Sequence, residues 1–305
     1  MSELLAFIDF GSNAVRCLLV RVVPRVGFEV LRQERVQTRL GGGRLGLLSQ
    51  TSVAETLATV RRFLREVRRK EPPRVLAIAT AAVREAANRE DLLSALRREQ
   101  GVEVRVLSGE EEARLGTSAA LHSLSFRSGV VIDLGGSSLQ ITQVYDGDIS
   151  TTASLPLGAV RTTRQFLTHD PPTERELLAL REEVAGNLAA VLPPARAGQD
   201  LIGLGGTVRT LAAMHLATLG GPDRSRQGLP LRRSEVTRMR ECLEKLPVRD
   251  RRRLPGLKAE RADIILAGTV VIGELMALGG YEALTVCKGG VRQGFLLREA
   301  FNGVG

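Results

Sequence analysis

The apolar positions of this chain switch between two periods. An apolar run closing on Asp, Gly and a small hydroxyl residue occurs twice, first as Leu4-Leu5-Ala6-Phe7-Ile8-Asp9-Phe10-Gly11-Ser12-Asn13 and then as Val130-Val131-Ile132-Asp133-Leu134-Gly135-Gly136-Ser137-Ser138. A second apolar run follows each. Short apolar runs bounded by Gly and Ser predict a strand, a tight turn and a returning strand, so two β-hairpins are expected, offset by 124 residues. After the first lies a polar, Gly-rich stretch (38–46), and then the period becomes helical. Val53, Leu57, Val60, Leu64 and Val67 recur on one helical face behind Ser52-Val53-Ala54-Glu55, whose ends fit a capping box. Residues 74–80 predict a strand, Asn88 the cap of a helix with Leu92, Leu93 and Leu96 inward, and 102–107 another strand. Ser108-Gly109-Glu110-Glu111 is a further capping box, opening a helix that carries Glu112, Ala113 and Leu115. The first half therefore reads ββ, then αβαβα.

The second half restarts at the Asp133 hairpin. Strands are expected over 130–133, 140–145 and 149–154, followed by the loop 155–158. Thr173-Glu174-Arg175-Glu176 caps a helix presenting Leu177, Leu180, Val184 and Leu188 on one face. A strand over 200–204 enters Gly205-Gly206-Thr207, which opens a helix through Leu216. Residues 220–233 read as a polar loop and 249–253 as a basic, solvated face. A helix over 259–278, a strand over 283–287 and a terminal helix complete the pattern. Alternating helices and strands imply α/β layers, and the doubled hairpin implies two related domains. These are expected over 1–124 and 125–305, with the last helix able to pack back on the first domain and the site in the central cleft.

Composition narrows the partners. The 305 residues are 43% hydrophobic, enough for a large core. No uncharged apolar run reaches about 18 residues, the length a membrane span needs, and no basic segment precedes a cleavable apolar one. A cytoplasmic location without membrane contact is expected. Cys17, Cys242 and Cys287 are widely spaced, which fits reduced thiols rather than disulfides or zinc. His122, His169 and His215 have no metal-like spacing. The net charge is +9, and 39 of the 43 basic residues are Arg, whose fork matches phosphate. Aromatic residues are only 3% and Trp is absent, leaving little to stack bases on. A small polyanion is favoured over a nucleic-acid polymer.

The doubled turn supplies chemistry for such a ligand. A glycine turn lets backbone N–H groups approach an anion, hydroxyls add donors, and an Asp suits Mg2+ or its waters. Two such loops facing each other would clamp consecutive phosphates. Each residue has a structural reading as well: Asp9 and Asp133 as turn formers, Glu112 as a helix-start acid, Arg84 as a solvated cation, and Arg261 as a partner of Glu260. Gly205-Gly206-Thr207 serves either to contact a nucleotide or only to start its helix.

The chain resembles the exopolyphosphatase and guanosine pentaphosphate phosphohydrolase family of the actin, Hsp70 and sugar-kinase superfamily. Seven pieces in order carry the resemblance: Ile8 to Asn13 with Arg16; Thr80-Ala81-Ala82-Val83-Arg84-Glu85-Ala86 with Asn88; Ser108-Gly109-Glu110-Glu111-Glu112-Ala113-Arg114; Asp133-Leu134-Gly135-Gly136; Leu155-Pro156-Leu157-Gly158-Ala159-Val160-Arg161; Gly203-Leu204-Gly205-Gly206-Thr207; and Glu260-Arg261-Ala262-Asp263. It implies an α/β fold of two ribonuclease H-like, actin-like domains, and Mg2+-assisted release of a terminal phosphoryl group from polyphosphate or guanosine pentaphosphate. Matched residue by residue, Glu112 is the general base, with Asp133 and Arg84 catalytic beside it. Gly11, Ser12, Asn13, Arg16, Gly135, Gly136, Ser137, Ser138 and Arg261 bind phosphate, and Asp9, Asp133 and Gln140 face the metal. Phosphoryl transfer rests on positioning and electrostatics, which suits this division.

Three positions depart from the family's pattern. Ser137 stands where a third Gly is usual, Gln140 where a Glu is usual, and Ala14 where a Ser is usual. An amide gives a metal no full negative charge, so weaker or altered Mg2+ dependence is expected. The alternative is a protein that binds polyphosphate or guanosine pentaphosphate for regulation and turns it over slowly. Longer members carry a C-terminal helical extension associated with dimerisation and long-chain binding; the chain ends without it, which leaves homodimerisation and processivity open.

Overall fold

The computed structural model describes residues 2–42, 46–68, 73–196, 199–221 and 225–302. Parts of the predicted 38–46 and 220–233 stretches, residues 43–45 and 222–224, lie outside the described residues. The strands are β1 Glu3–Phe10, β2 Val15–Val23, β3 Gly27–Val36, β4 Arg74–Ala79, β5 Val104–Val106, β6 Gly129–Leu134, β7 Leu139–Tyr145, β8 Asp148–Leu155, β9 Asp200–Gly205, β10 Pro230–Arg232 and β11 Ala283–Val286. The helices are α1 Gln50–Val67, α2 Ala81–Arg84, α3 Arg89–Gln100, α4 Gly109–Ser123, α5 Ala159–Phe166, α6 Glu174–Leu188, α7 Gly206–Thr218, α8 Arg233–Glu244, α9 Val248–Arg251, α10 Ile265–Gly279 and α11 Val291–Asn302. Among the described residues, none is long and apolar enough to cross a membrane.

The chain packs as two compact units. The first takes the described residues up to Glu112 and again from Arg292; the second takes those of Ala113–Val291. Packing thus divides α4 after its first turn, whereas the sequence boundary was set after that helix, at 124.

The first unit holds a sheet of order β3-β2-β1-β4-β5, and the second one of order β10-β11-β9-β6-β7-β8. In each, an antiparallel hairpin is extended by a parallel strand reached through a helical crossover: β1 pairs with β2 and β4, and β6 pairs with β7 and β9. This is the ribonuclease H-like order, found twice. The registers coincide as well. Asp9 lies opposite Arg16 and beside Ile78, while Asp133 lies opposite Gln140 and beside Leu204. Central placement buries β1, where Phe7, Ile8 and Phe10 are inaccessible to solvent, and buries Ile132 and Leu134 of β6. The Asp one residue before the end of each strand is thereby anchored by apolar neighbours on either side.

Several local expectations are corrected by tertiary packing. Helix α1 begins at Gln50, capped by Ser49, whose side chain accepts from the Ser52 amide. Ser52 is inside the helix, and its hydroxyl donates to the Arg39 carbonyl. Asn88 occupies the N-cap position of α3 without a side-chain cap bond. Instead its amide ties down Leu48, accepting from Leu48 N at 2.8 Å and donating to Leu48 O at 3.0 Å. The Thr173–Glu176 capping box forms as expected. The helix expected over 259–278 is a single 3-10 turn, Ala259–Arg261, followed by α10. Strand β3 was unforeseen because it is a largely exposed edge strand with Glu29, Arg32, Glu34 and Arg35 along it, and charges of this kind blunt edges while hiding alternation.

The cysteines behave differently from one another. Cys17 is buried in β2 and Cys242 is exposed. Burial pushes the Cys17 thiol up from 9.0 to about 12, with Arg62 pulling the other way and Asp9 adding to the rise. A thiolate-directed alkylating reagent near neutral pH should therefore label Cys242 in the native protein and Cys17 only on unfolding; mass mapping of the labelled peptides reads this. Because the folded value lies above the unfolded one, the associated stability is intact below pH 9.0 and is lost as pH rises toward about 12. Urea midpoints should fall across that window.

Candidate active site

In the first unit the β1–β2 turn closes through Gly11 N donating to Ala14 O at 3.2 Å. Its backbone is braced from outside: Ser12 O accepts from Gly41 N at 2.7 Å, and Asn13 O from Arg39 N at 3.2 Å. The Asn13 side-chain oxygen accepts from Gln37 Nε2 at 3.2 Å, while its buried Nδ2 has no hydrogen-bond partner among the described residues. Turn, amide and the nearby Arg16 form one polar surface on a single hairpin. Asp9, only 6% exposed, directs Oδ2 toward Arg16 Nη1 at 3.5 Å and toward Arg292 Nε, from the first turn of α11, at 3.3 Å.

Three consecutive glutamates at the start of α4 meet three fates. Glu110 is exposed. Glu111 completes the capping box, accepting from Ser108 N at 2.8 Å while its own amide donates to Ser108 Oγ at 3.1 Å. The Ser108 backbone bond, helped by Arg105, holds the Glu111 carboxyl below the usual range. Glu112 turns inward, is 5% exposed, and accepts from Arg84 Nη1 through Oε1. The same Arg84 nitrogen donates to Leu107 O at 2.8 Å. A buried carboxylate is tolerated when paired and hydrogen-bonded, and this pairing brings together two of the residues predicted as catalytic.

The second unit assembles Asp133, Gly135, Gly136, Ser137, Ser138 and Gln140 on the β6–β7 hairpin. Gly135 N donates to Ser138 O at 3.0 Å, closing the turn as in the first unit. Helix α5 then grips this turn: Ala159 N donates to Gly135 O, Val160 N and Arg161 N to Gly136 O, and Arg161 Nε to Ser137 O at 3.0 Å. Gly158 makes the grip possible, since a Cβ there would lie 2.3 Å from Ser137 backbone atoms. Gln140, 3% exposed, spends its amide nitrogen on Ser138 Oγ at 2.7 Å and Ser154 Oγ at 3.1 Å. Two hydroxyls thus share the donors of a neutral amide opposite Asp133.

The surroundings of Asp133 suit a hydrated cation. A Cβ on Gly205 would stand 3.0 Å from Oδ1, and Cβ atoms on Gly116 and Gly290 would stand 3.4 Å and 3.8 Å from Oδ2. Glycine at 116 and 290 keeps side-chain bulk off Oδ2, whereas glycine at 205 is required by its φ of +98° and by Leu134 O, which would lie 2.3 Å from a Cβ. Among the described residues no group of three or more His, Cys, Asp or Glu gathers to form a metal cage, but Mg2+ ordinarily keeps waters and takes one or two carboxylates together with substrate phosphates. Arg261 lies over Gly206, where a Cβ would come within 2.6 Å of Nη1. The Gly205-Gly206 turn therefore seats a guanidinium as well as starting α7. Sequence reasoning named Gly205 within the Gly205-Gly206-Thr207 turn but did not single out Arg292, Gly116 or Gly290; Gly289-Gly290 before Val291-Arg292 was the available signal.

Fold and site together define an α/β protein of doubled ribonuclease H-like topology whose two hairpin turns present amides, hydroxyls and guanidiniums. The chain belongs to the Ppx/GppA phosphatase family, whose profile matches residues 18–302. It is 31% identical over 304 residues to Exopolyphosphatase 1 of Mycobacterium tuberculosis, covering 97% of this chain and 88% of that protein. Exopolyphosphatase 2 of the same organism is 28% identical, with 97% and 98% covered. Among solved structures, the Aquifex aeolicus Ppx/GppA family member is 27% identical, covers both chains fully and superposes with a TM-score of 0.82. An exopolyphosphatase from Cytophaga hutchinsonii, 23% identical with 99% of each chain covered, shares the fold at a TM-score of 0.87.

Proposed function

We propose that this chain is an exopolyphosphatase that releases terminal orthophosphate from inorganic polyphosphate. The observation that carries the reading is the buried Glu112 carboxylate held by Arg84, in a chain whose relatives are named exopolyphosphatases. Glu112 takes a proton from water as the water oxygen bonds to the terminal phosphorus. The bond from that phosphorus to the bridging oxygen breaks, and the shortened chain leaves with the electron pair. Arg84 spreads the charge that develops on non-bridging oxygens, and the β1–β2 turn amides with Asn13 Nδ2 orient the phosphates. Asp133, with Gln140 opposite, would hold Mg2+, which when bound supplies neutralisation of phosphate charge. Hydrolysis of guanosine pentaphosphate to the tetraphosphate is the same chemistry on a nucleotide, and competition between the two substrates with turnover measured for each separates them. Phosphate release from long polyphosphate with Mg2+ tests the reading; its absence alongside tight binding would overturn it.

A second reading, a polyphosphate or guanosine pentaphosphate sensor with slow turnover, is favoured by Gln140. Gln140→Glu should lower the Mg2+ half-saturation concentration by about 10-fold, because a second carboxylate then faces the Asp133 space. A wild type with negligible turnover that becomes active in Gln140→Glu would support the sensor. Comparable maximal rates in both proteins would support the hydrolase.

A further inference from the structure

Two segments bring glycines beside Asp133 Oδ2: α4 through Gly116, and the loop from β11 to α11 through Gly290. One side chain outside the site joins them. Gln227 Oε1 accepts from Lys288 N at 2.7 Å, just ahead of the Gly289-Gly290 pair, and Gln227 Nε2 donates to Ser123 O, in the last turn of α4, at 3.1 Å. Both partners are backbone groups, one able only to donate and the other only to accept, so the orientation of the amide is fixed. Ser123 O is one of the carbonyls that a helix end leaves without an intrahelical partner, and the same amide therefore caps α4. A third contact closes the cluster: Ser123 Oγ lies 3.4 Å from the Sγ of Cys287, which is inaccessible to solvent. Cys287 N donates to Gly203 O at 2.8 Å, tying the base of the loop to β9. Gly228 N donates to Val286 O and Val286 N to Leu229 O, both at 2.9 Å, which keeps Gln227 alongside β11. Glycine has the widest backbone freedom of any residue, so the course of Gly289 and Gly290 past Asp133 depends on how firmly Lys288 before them is held.

We propose that Gln227 is a positioning residue for the Asp133 site: by joining α4 to the β11–α11 loop it fixes Gly116 and Gly290 at the spacing that admits a hydrated divalent cation to Oδ2. This rests on the assignment of Mg2+ to Asp133 proposed above. Binding of Mn2+ alone, followed by the electron paramagnetic resonance signal of the free ion, tests it without turnover, and the portion of that binding lost in Asp133→Asn defines the site. Gln227→Met keeps the length of the side chain and removes both bonds. It should weaken Mn2+ binding at that site by about 10-fold, the low end for groups that act on a metal from outside its ligands, and speed hydrogen exchange of the amides of residues 288–290. In phosphate release the Mg2+ half-saturation should rise by the same factor, while KM for polyphosphate at saturating Mg2+ stays within about twofold. Gln227→Glu keeps the acceptor for Lys288 N and should recover part of the loss. Gln227→Asn, too short to span both partners, should show a smaller loss in the same direction. Gln100→Met removes the bond from another buried glutamine, to Leu57 O at 2.9 Å in the first unit, and controls for lost stability; its Mn2+ binding should be that of the wild type. Unchanged Mn2+ affinity in a folded Gln227→Met, or in Gln227→Asn should the Met protein not fold, would overturn the inference, as would an equal loss in Gln100→Met. A wild type with no Asp133-dependent Mn2+ binding would take the metal from Asp133 and the inference with it. Should metal bind without phosphate release, the hydrolase reading fails while the Mn2+ and exchange measurements still decide the role of Gln227.

Discussion

Glu112→Gln is expected to lower kcat for phosphate release from polyphosphate by about 10²–10⁴-fold, the range for loss of a positioned general base. The substitution is nearly isosteric and keeps an oxygen for Arg84 Nη1, so KM should change far less. What is lost is the ability to take a proton from water inside a site where the carboxylate is 5% exposed. Glu110→Gln, two residues earlier on the exposed side of α4, is the matched control and should leave the rate unchanged. Stopped assays on both variants, with thermal melts to confirm folding, check the result. Equal rates for wild type and Glu112→Gln would remove Glu112 as the base.

Gly158→Ala should cost about 3 kcal/mol of stability or displace the β6–β7 turn, at the upper end of ordinary overpacking. The backbone angles at Gly158, φ −67° and ψ 149°, are open to any residue, so the penalty is steric. The added methyl would sit 2.3 Å from Ser137 N and C and 2.4 Å from Gly136 C, all backbone atoms with no rotamer to yield. Because α5 holds that turn through four hydrogen bonds from Ala159, Val160 and Arg161, phosphate release should fall together with the urea midpoint. Gly186→Ala in α6 provides the contrast, since its Cβ would meet nothing within 4 Å. There the gain in helix propensity should raise stability by up to about 1 kcal/mol. A Gly158→Ala protein of wild-type midpoint and activity would show that α5 does not press on the turn.

Much of the fold was legible because burial writes itself into sequence. Strands β1 and β6 are apolar almost throughout, and a doubled apolar run ending in Asp and Gly has few ways to fold other than a paired hairpin. The capping box at Thr173 could be read for a similar reason: all its partners lie within four residues. Where the partner was distant, local reading failed. Asn88 looks like a helix cap, yet its amide is claimed by Leu48, far back in the chain. Ser52 looks like the start of α1, yet Ser49 caps it and Ser52 reaches Arg39.

The site divides along the same line. Which residues share each hairpin turn could be read directly from the chain, since every member of such a turn is local; the cross-strand register came from the folded sheet, which sets Asp9 opposite Arg16 and Asp133 opposite Gln140. How the charges pair depends on the folded chain. It chose Glu112 over two neighbouring glutamates for burial against Arg84, brought Arg292 of α11 to Asp9, and surrounded Asp133 with glycines from three separate segments. Hairpin geometry follows from residues adjacent in the chain, whereas the electrostatic character of a carboxylate depends on groups that only folding brings within a few ångströms.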